Sequence, residues 1–219
     1  MVGQSSSING MKVKVKICGI TTLRAALAAA HAGADALGFV FAPSPRQISP
    51  QEAKKLIQAL PPFIIKVGVF VNLPLKEVED IASYCNLDFI QLHGSEPPEY
   101  CRLLRQKHRI IKAFQVKNGV SEALIDTYSV DAVLLDTYSP SRAGGTGKSF
   151  DWILAQNLKL APPLILSGGL TPENVREAIA LVKPYAVDVS SGVETNGKKD
   201  LTKIYKFIAM AKGEKYASR

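Results

Sequence analysis

The segment KVKICGITTL, residues 14–23, decides between the two folds that chains of alternating strands and helices most often adopt. Apolar Val13, Val15 and Ile17 alternate with polar residues, as in a strand with one apolar face. An open, doubly wound sheet usually carries a G-x-G-x-x-G phosphate loop after its first strand. Here the strand continues into CGITTL, which lacks that fingerprint. The segment therefore argues against the doubly wound sheet.

The same strand-then-helix pattern recurs along the chain. Strand-length apolar runs lie at residues 14–18, 36–41, 64–70, 89–93, 110–114, 132–136, 164–167 and 186–190. Helical patterns lie at residues 22–32, 50–60, 75–85, 97–106, 120–128, 150–157, 172–182 and 200–212. Continuous apolar runs are typical of strands that are buried on both faces. Eight such units without a linker predict an α/β protein with a single (β/α)8 TIM barrel, formed by residues 11–219.

The composition is that of a globular protein, with 47% hydrophobic and 21% charged residues in 219. Residues 1–10, MVGQSSSING, are polar, and we interpret them as a disordered leader or a cloning remnant before Met11. These ten residues contain no apolar stretch that could serve as a signal peptide, and no apolar run of about 18 residues predicts a membrane helix. Its three scattered cysteines are too few for a disulfide framework or a zinc site. These features predict a cytoplasmic protein without a bound metal.

The formal net charge of +8 raises the question of a nucleic-acid partner. The basic residues are spread along the chain, and no recognised nucleic-acid motif accompanies them. A modest excess of positive charge also suits a small anionic substrate. We therefore expect a small-molecule partner, neither nucleic acid nor membrane, and either a monomer or a homodimer.

Polar and reactive residues stand at the ends of several predicted strands. In a (β/α)8 barrel, the active site is built from the carboxyl ends of the strands and the loops after them. This rule selects residues at five strand ends: Cys18, His93, Asp136, Ser167 and Ser190. We therefore expect the functional groups to meet on one rim of the barrel.

Glycine-rich segments follow the last three strands. SGGL (residues 167–170) and SSGVE (residues 190–194) occupy the positions where barrels often bind phosphate through backbone N–H groups. Each segment could instead be an ordinary turn, but their occurrence after successive strands favours a phosphate site. AGGTGKS (residues 143–149) is not a P-loop, because Arg142 stands where the leading glycine is required. We interpret it as a mobile loop over a ligand, with a plain connection as the alternative.

Four side chains are candidates for the chemistry. Asp136 follows four apolar residues, so desolvation could keep it protonated as a general acid; the alternative is a loop-anchoring carboxylate. Arg46, between prolines in APSPRQIS, suits a carboxylate or phosphate, although a solvated arginine is the default. His93 could be a base or part of a strand-end hydrogen-bond network. Cys18 is either core filling or a thiol that faces a ligand, beside which Gly19 would leave room.

In their order along the chain, these segments resemble those of the phosphoribosylanthranilate isomerases of tryptophan biosynthesis. The matching segments are KICGIT, FAPSPR, VGVFVN, QLHGSE, LLDT, GGTGKSFDW, LSGGLTPENV, DVSSGVE and GKKD. They cover residues 12–212, and the combination of KICGIT with DVSSGVE is specific. One departure is Gln47, where family members often carry an aromatic residue or histidine. We expect Gln47 to alter the loop surface and not the chemistry.

The resemblance implies an Amadori rearrangement of N-(5-phosphoribosyl)anthranilate to 1-(2-carboxyphenylamino)-1-deoxyribulose 5-phosphate, without metal or organic cofactor. By position, Asp136 would be the general acid, Cys18 the general base and Arg46 the partner of the anthranilate carboxylate. A phosphate site would be formed by Gly168, Gly169, Ser190, Ser191 and Gly192.

Two other functions remain open at this stage. The related histidine-pathway isomerases perform the same rearrangement on a larger substrate, but they typically carry an aspartate where Cys18 stands here. A catalytically silent barrel that binds phosphate or RNA would account for the basic charge. The joint presence of Cys18 and Asp136 at strand ends argues against a catalytically silent barrel.

Overall fold

Eight parallel strands close into a barrel in the computed structural model, which describes residues 12–116, 121–136, 150–156 and 158–214. The strands pair in chain order, and β8 returns to pair with β1. The predicted (β/α)8 barrel is therefore confirmed. The proposed leader, the predicted loop at residues 143–149 and the end of the chain lie outside the described residues.

The eight barrel strands match the predicted apolar runs to within one residue at either end. They are β1 Lys14–Cys18, β2 Ala36–Val40, β3 Ile65–Phe70, β4 Phe89–Leu92, β5 Arg109–Gln115, β6 Ala132–Asp136, β7 Leu164–Ser167 and β8 Ala186–Val189. A short antiparallel hairpin follows β8, formed by β9 Glu194–Thr195 and β10 Lys198–Lys199. The sequence analysis did not predict this hairpin.

A helix follows each barrel strand, and the last one begins after the hairpin. The helices are α1 Leu23–His31, α2 Pro50–Gln58, α3 Leu75–Cys85, α4 Pro98–Leu104, α5 Glu122–Asp126, α6 Phe150–Gln156, α7 Val175–Val182 and α8 Leu201–Ala211. A 3-10 turn, Ser191–Val193, lies between β8 and β9. None of the described helices is long and apolar enough to cross a membrane.

The start of α7 differs from the prediction, which began this helix at residue 172. The helix begins at Val175 instead, with Asn174 at its N-cap. The side-chain oxygen of Asn174 accepts a hydrogen bond from the Thr171 N–H at 2.7 Å and closes a turn before the helix. Local side-chain bonding of this kind competes with helical geometry.

The barrel has two apolar layers, because successive strand residues point to opposite faces. Val15 and Ile17 belong to the large layer between sheet and helices. A smaller cluster, which includes Val67, Ile111 and Leu134, fills the space inside the barrel. By the same alternation, the side chains at 16 and 18 of β1 face the barrel interior. On this face of the first strand, Lys14 is exposed, whereas Lys16 and Cys18 are buried.

Candidate active site at the carboxyl end of the barrel

Cys18, the last residue of β1, is buried at 7% exposure on the rim side of the barrel interior. Its neighbour across the strand pair is Gly38 of β2. A Cβ atom on Gly38 would lie 2.8 Å from the Cys18 sulfur and 3.0 Å from the ammonium nitrogen of Lys16. The absence of a side chain at Gly38 therefore gives the thiol and the ammonium the space that they share.

A buried ion pair lies directly below the thiol. The ammonium of Lys16 contacts the Asp188 carboxylate at 2.9 Å, and both side chains are at most 5% exposed. Asp188 is the residue that pairs with Lys16 in the register of β8 and β1. The hydroxyl of Ser167 donates to the other carboxylate oxygen at 3.3 Å. Ser167 is in turn the register partner of Asp136 on β6. Residues of four neighbouring strands, β6, β7, β8 and β1, therefore lie close together at this end of the barrel.

A second polar cluster holds the loop after β2 against the hairpin after β8. The guanidinium of Arg46 donates two hydrogen bonds of 2.7 Å to the carboxylate of Glu194. The ammonium of Lys199 donates to the same carboxylate at 2.6 Å and to the backbone oxygen of Ser190 at 3.0 Å. Burial alone would raise the pKa of the Glu194 carboxyl. The hydrogen bonds from Arg46 and Lys199 outweigh burial, so the pKa lies below its ordinary value.

Gly19 is needed for a different reason from the one predicted. Its φ of +76° is in the left-handed region, which favours glycine. A Cβ at this position would lie 2.5 Å from Cδ of Arg46 and 3.1 Å from the Ser190 hydroxyl. We expected Gly19 to leave room for substrate beside the sulfur. The structure shows instead that the aliphatic part of the Arg46 side chain occupies this space.

The two glycine-rich segments after β7 and β8 lie side by side. They line one cleft together with Asp136, and its walls are formed by residues 167–170 and 188–192. A Cβ on Gly192 would lie 1.8 Å from the backbone oxygen of Leu170, so the segments can approach this closely only with glycine there. Gly168 and Gly169 both have positive φ, and a Cβ on Gly169 would meet no atom within 4 Å. The predicted phosphate-binding residues are therefore brought together around open space.

Asp136 ends β6 at the edge of that cleft and is partly exposed. Nε2 of His93 lies 3.3 Å from one of its carboxylate oxygens, and Nδ1 of the same ring lies 2.9 Å from the amide nitrogen of Gln91. Of the two interpretations of His93, the strand-end hydrogen-bond network is the one that the structure shows. With the amide nitrogen donating to Nδ1, the proton of the neutral imidazole is on Nε2 and faces Asp136.

The sequence analysis missed four polar residues of this rim. Lys16 lies on the polar face of the first strand and was given no role, and Asp188 lies inside a strand that was interpreted as an apolar run. Glu194 and Lys199 lie in the unpredicted hairpin. The alternation of β1, which puts Lys16 on the same face as Cys18, was a signal that could have indicated the first pair. In the parts of the chain that the structure describes, no three His, Cys, Asp or Glu side chains are grouped to hold a metal ion.

Known proteins are similar to this chain in sequence and fold. The family model of N-(5'-phosphoribosyl)anthranilate isomerase matches residues 15–210. A curated isomerase of that name from Geobacter sulfurreducens is 56% identical over 203 residues, which are 92% of this chain and 99% of the relative.

Two solved structures add to this comparison. Phosphoribosylanthranilate isomerase in complex with reduced 1-(o-carboxyphenylamino)-1-deoxyribulose 5-phosphate is 46% identical, with a TM-score of 0.77, and covers 92% of this chain and 99% of its own. A monomeric form of the dimeric isomerase from Thermotoga maritima is 44% identical, with a TM-score of 0.76 and the same coverage.

Proposed function

Because this chain belongs to the family of N-(5'-phosphoribosyl)anthranilate isomerases, we propose that its barrel rim performs their reaction with Asp136 as general acid and Cys18 as general base. The chain is an isomerase of tryptophan biosynthesis. It converts N-(5'-phosphoribosyl)anthranilate to 1-(2-carboxyphenylamino)-1-deoxyribulose 5-phosphate by an Amadori rearrangement. The partner of the chain is therefore a small phosphorylated molecule.

One observation carries the proposed division of roles. Asp136 and the glycine-rich segments after β7 and β8 line the same cleft. Cys18 adjoins this cleft through Ser190, whose hydroxyl donates to the Cys18 backbone oxygen at 3.2 Å. A substrate whose phosphate is bound by Gly168, Gly169, Ser190, Ser191 and Gly192 would have its sugar between the carboxyl and the thiol. Such fixed placement of reacting groups is a large part of enzymatic rate enhancement.

The first step opens the ribose ring. Asp136 donates a proton to the furanose oxygen as the C1–O bond breaks and its electron pair passes to that oxygen, while the lone pair of the anilino nitrogen forms a C=N bond to C1, which gives an iminium ion. The Asp136 carboxylate that remains then accepts a hydrogen bond from Nε2 of His93, which lies 3.3 Å away.

The second step moves the hydrogen from C2. The iminium acidifies this C–H bond, and the Cys18 thiolate removes the proton, so that the electron pair of the bond forms the C1–C2 double bond of an enolamine. Tautomerisation of the enolamine then gives the ketone. Proton transfer by a positioned side chain typically contributes about 100- to 10,000-fold to the rate. Both steps balance without any external oxidant or reductant.

Arg46 is proposed to bind the anthranilate carboxylate at the other end of the substrate. Glu194 engages two guanidinium nitrogens of Arg46 from one side, and the side chain remains 28% exposed. A guanidinium is a planar donor with several N–H groups, so it can serve two carboxylates. The monomeric or homodimeric state and a cytosolic location remain predictions; one isomerase of this family, from Thermotoga maritima, is described as dimeric.

The test is a fluorescence assay for the loss of phosphoribosylanthranilate, run beside the same assay with the histidine-pathway substrate. We expect turnover of the anthranilate substrate only, and a loss of about 100- to 10,000-fold in kcat for Asp136→Asn. Arg46→Ala should mainly raise KM. Near wild-type kcat for Asp136→Asn would refute the role of the acid, and unchanged KM for Arg46→Ala would refute the carboxylate contact.

A further inference from the structure

Lys16 is a charged residue enclosed in the barrel interior, where lysine is rarely found. Its side chain is 3% exposed, and the ammonium contacts the Asp188 carboxylate at 2.9 Å. The ammonium nitrogen and the Cys18 sulfur also flank the position that a Cβ on Gly38 would take, at 3.0 Å and 2.8 Å from it. The proposed acid–base chemistry so far makes no use of this residue.

The ammonium keeps its charge in this position. Burial lowers the pKa of Lys16, but the carboxylate of Asp188 and the neighbouring Cys18 outweigh burial and raise it above its ordinary value. A positive charge is therefore present beside the sulfur at neutral pH. A single lysine without such a partner would instead lose its proton in a site of this kind.

The groups that face Cys18 act in opposite directions. Burial is the largest influence and raises the pKa of the thiol above its ordinary value, and the charge of Asp188 raises it further. The charges of Lys16 and Lys199 act in the opposite direction and lower it. The charged side chains that the described elements place around the sulfur are Lys16 on β1, Asp188 on β8, Arg46 after β2, and Lys199 with Glu194 on the hairpin.

We propose that Lys16 is a positioning residue of the reaction, whose ammonium, fixed by Asp188, stabilises the thiolate of Cys18. The proposal rests on the proposed role of Cys18 as general base. Lys16 exchanges no proton with the substrate; it lowers the free energy of the anionic sulfur that must form before the C2 proton is removed. Asp188 has the complementary task of holding the ammonium charged and in place.

The space over Gly38 supports this arrangement. A Cβ atom there would lie within 3.0 Å of both the Lys16 nitrogen and the Cys18 sulfur. The two atoms therefore border the same small volume, which a glycine leaves open. A merely structural ion pair would not require its ammonium to share this volume with a thiol.

The experiment measures the titration of the thiol itself. In a Cys85→Ser, Cys101→Ser background, the rate of Cys18 alkylation by iodoacetamide is recorded against pH, because only the thiolate reacts. Lys16→Met is compared with Lys16→Met/Asp188→Asn, in which no buried carboxylate is left without a partner. The matched control is Lys112→Met/Glu96→Gln, which removes another buried lysine–carboxylate pair of the barrel.

We expect Lys16→Met to be alkylated about 10-fold more slowly than the background at neutral pH, with the profile shifted to higher pH. Lys16→Met/Asp188→Asn should shift in the same direction but less, because it also removes the Asp188 charge, which raises the pKa of the thiol. The alkaline shift should reappear in the pH profile of kcat/KM, and the control should leave the alkylation profile unchanged. An unshifted profile in either folded Lys16 variant would overturn the proposal.

The two proposals fail separately. If Cys18→Ala retained turnover, the role of the base would be wrong, yet the alkylation profile would still report whether Lys16 stabilises the thiolate. If the alkylation profile of the Lys16 variants stayed unshifted while Cys18→Ala was inactive, Cys18 would still be the general base, but the proposed role of Lys16 would be wrong.

Discussion

Two buried lysine–carboxylate pairs lie in different sectors of the barrel, and as ion pairs they are nearly equal. Lys16 contacts Asp188 at 2.9 Å between β1 and β8, and Lys112 contacts Glu96 at 3.0 Å between β5 and the loop after β4. All four side chains are at most 5% exposed. Geometry and burial alone would assign them the same role.

Their other partners differ in kind. The first pair lies among side chains: Asp188 accepts a hydrogen bond from the Ser167 hydroxyl, and the Lys16 ammonium shares the space over Gly38 with the Cys18 sulfur. The second pair bonds to backbone: the Lys112 ammonium donates to the Gly94 oxygen at 2.6 Å, and Glu96 accepts from the N–H groups of Asn72 and Gly94. One pair therefore borders a reactive group, whereas the other holds the loops after β3 and β4 together.

The largest expected effect on folding is that of Glu96→Gln. The substitution leaves the Lys112 charge buried without its carboxylate, and breaking such a pair typically costs about 3–5 kcal/mol. Urea unfolding should show this loss in the free energy of unfolding, with Lys112→Met/Glu96→Gln less affected. A loss below about 1 kcal/mol would mean that the Lys112–Glu96 pair does not hold the loops after β3 and β4 together. The two buried pairs would then no longer differ in role.

A smaller effect is expected from Gly192→Ala in the cleft. The new methyl would collide with the Leu170 backbone oxygen, which is 1.8 Å from its position, and would force the two glycine-rich segments apart. Overpacking of this kind costs about 1–3 kcal/mol, so KM for the substrate should rise roughly 10- to 100-fold. The control is Gly197→Ala, where a φ of +74° disfavours alanine but a Cβ would meet no atom within 4 Å. Equal KM values for both variants would refute the close-approach argument.

The smallest effect is expected from Glu194→Gln, which tests the arginine side of the rim. The amide cannot accept two charge-assisted bonds from Arg46 and a third from Lys199, so the guanidinium loses its fixed orientation. KM should rise about 10-fold, equivalent to about 1.4 kcal/mol, while kcat changes little. A fall in kcat at constant KM would mean that Glu194 acts on the acid–base groups instead.

The strands and the rim were predictable because their signals are local. Each strand is an apolar run, and in a barrel a polar residue at its carboxyl end points to the active site, which located Cys18 and Asp136 without any contact information. The glycine-rich segments after β7 and β8 were predictable for the same reason. The structure brings them to one cleft, as the topology requires.

The partners of these residues were not predictable, since they are distant in the chain. Lys16 and Asp188 are 172 positions apart, and Arg46 and Glu194 are 148 apart. Gly19 shows the consequence: its neighbour is the stem of Arg46, which approaches only when the barrel closes. A single sequence specifies which side chains reach the rim, whereas the closed barrel determines which of them pair.

The most direct test of the proposed catalytic role of Cys18 compares substitutions of two cysteines in the same assay. Cys18 lies at the rim beside the Lys16 ammonium, whereas Cys101 is packed within α4 at 0% exposure. Turnover of phosphoribosylanthranilate should fall about 100- to 10,000-fold in kcat for Cys18→Ala, with KM little changed. Cys101→Ala should keep its kcat and lose only stability. Near wild-type kcat in folded Cys18→Ala would contradict the assignment of the general base.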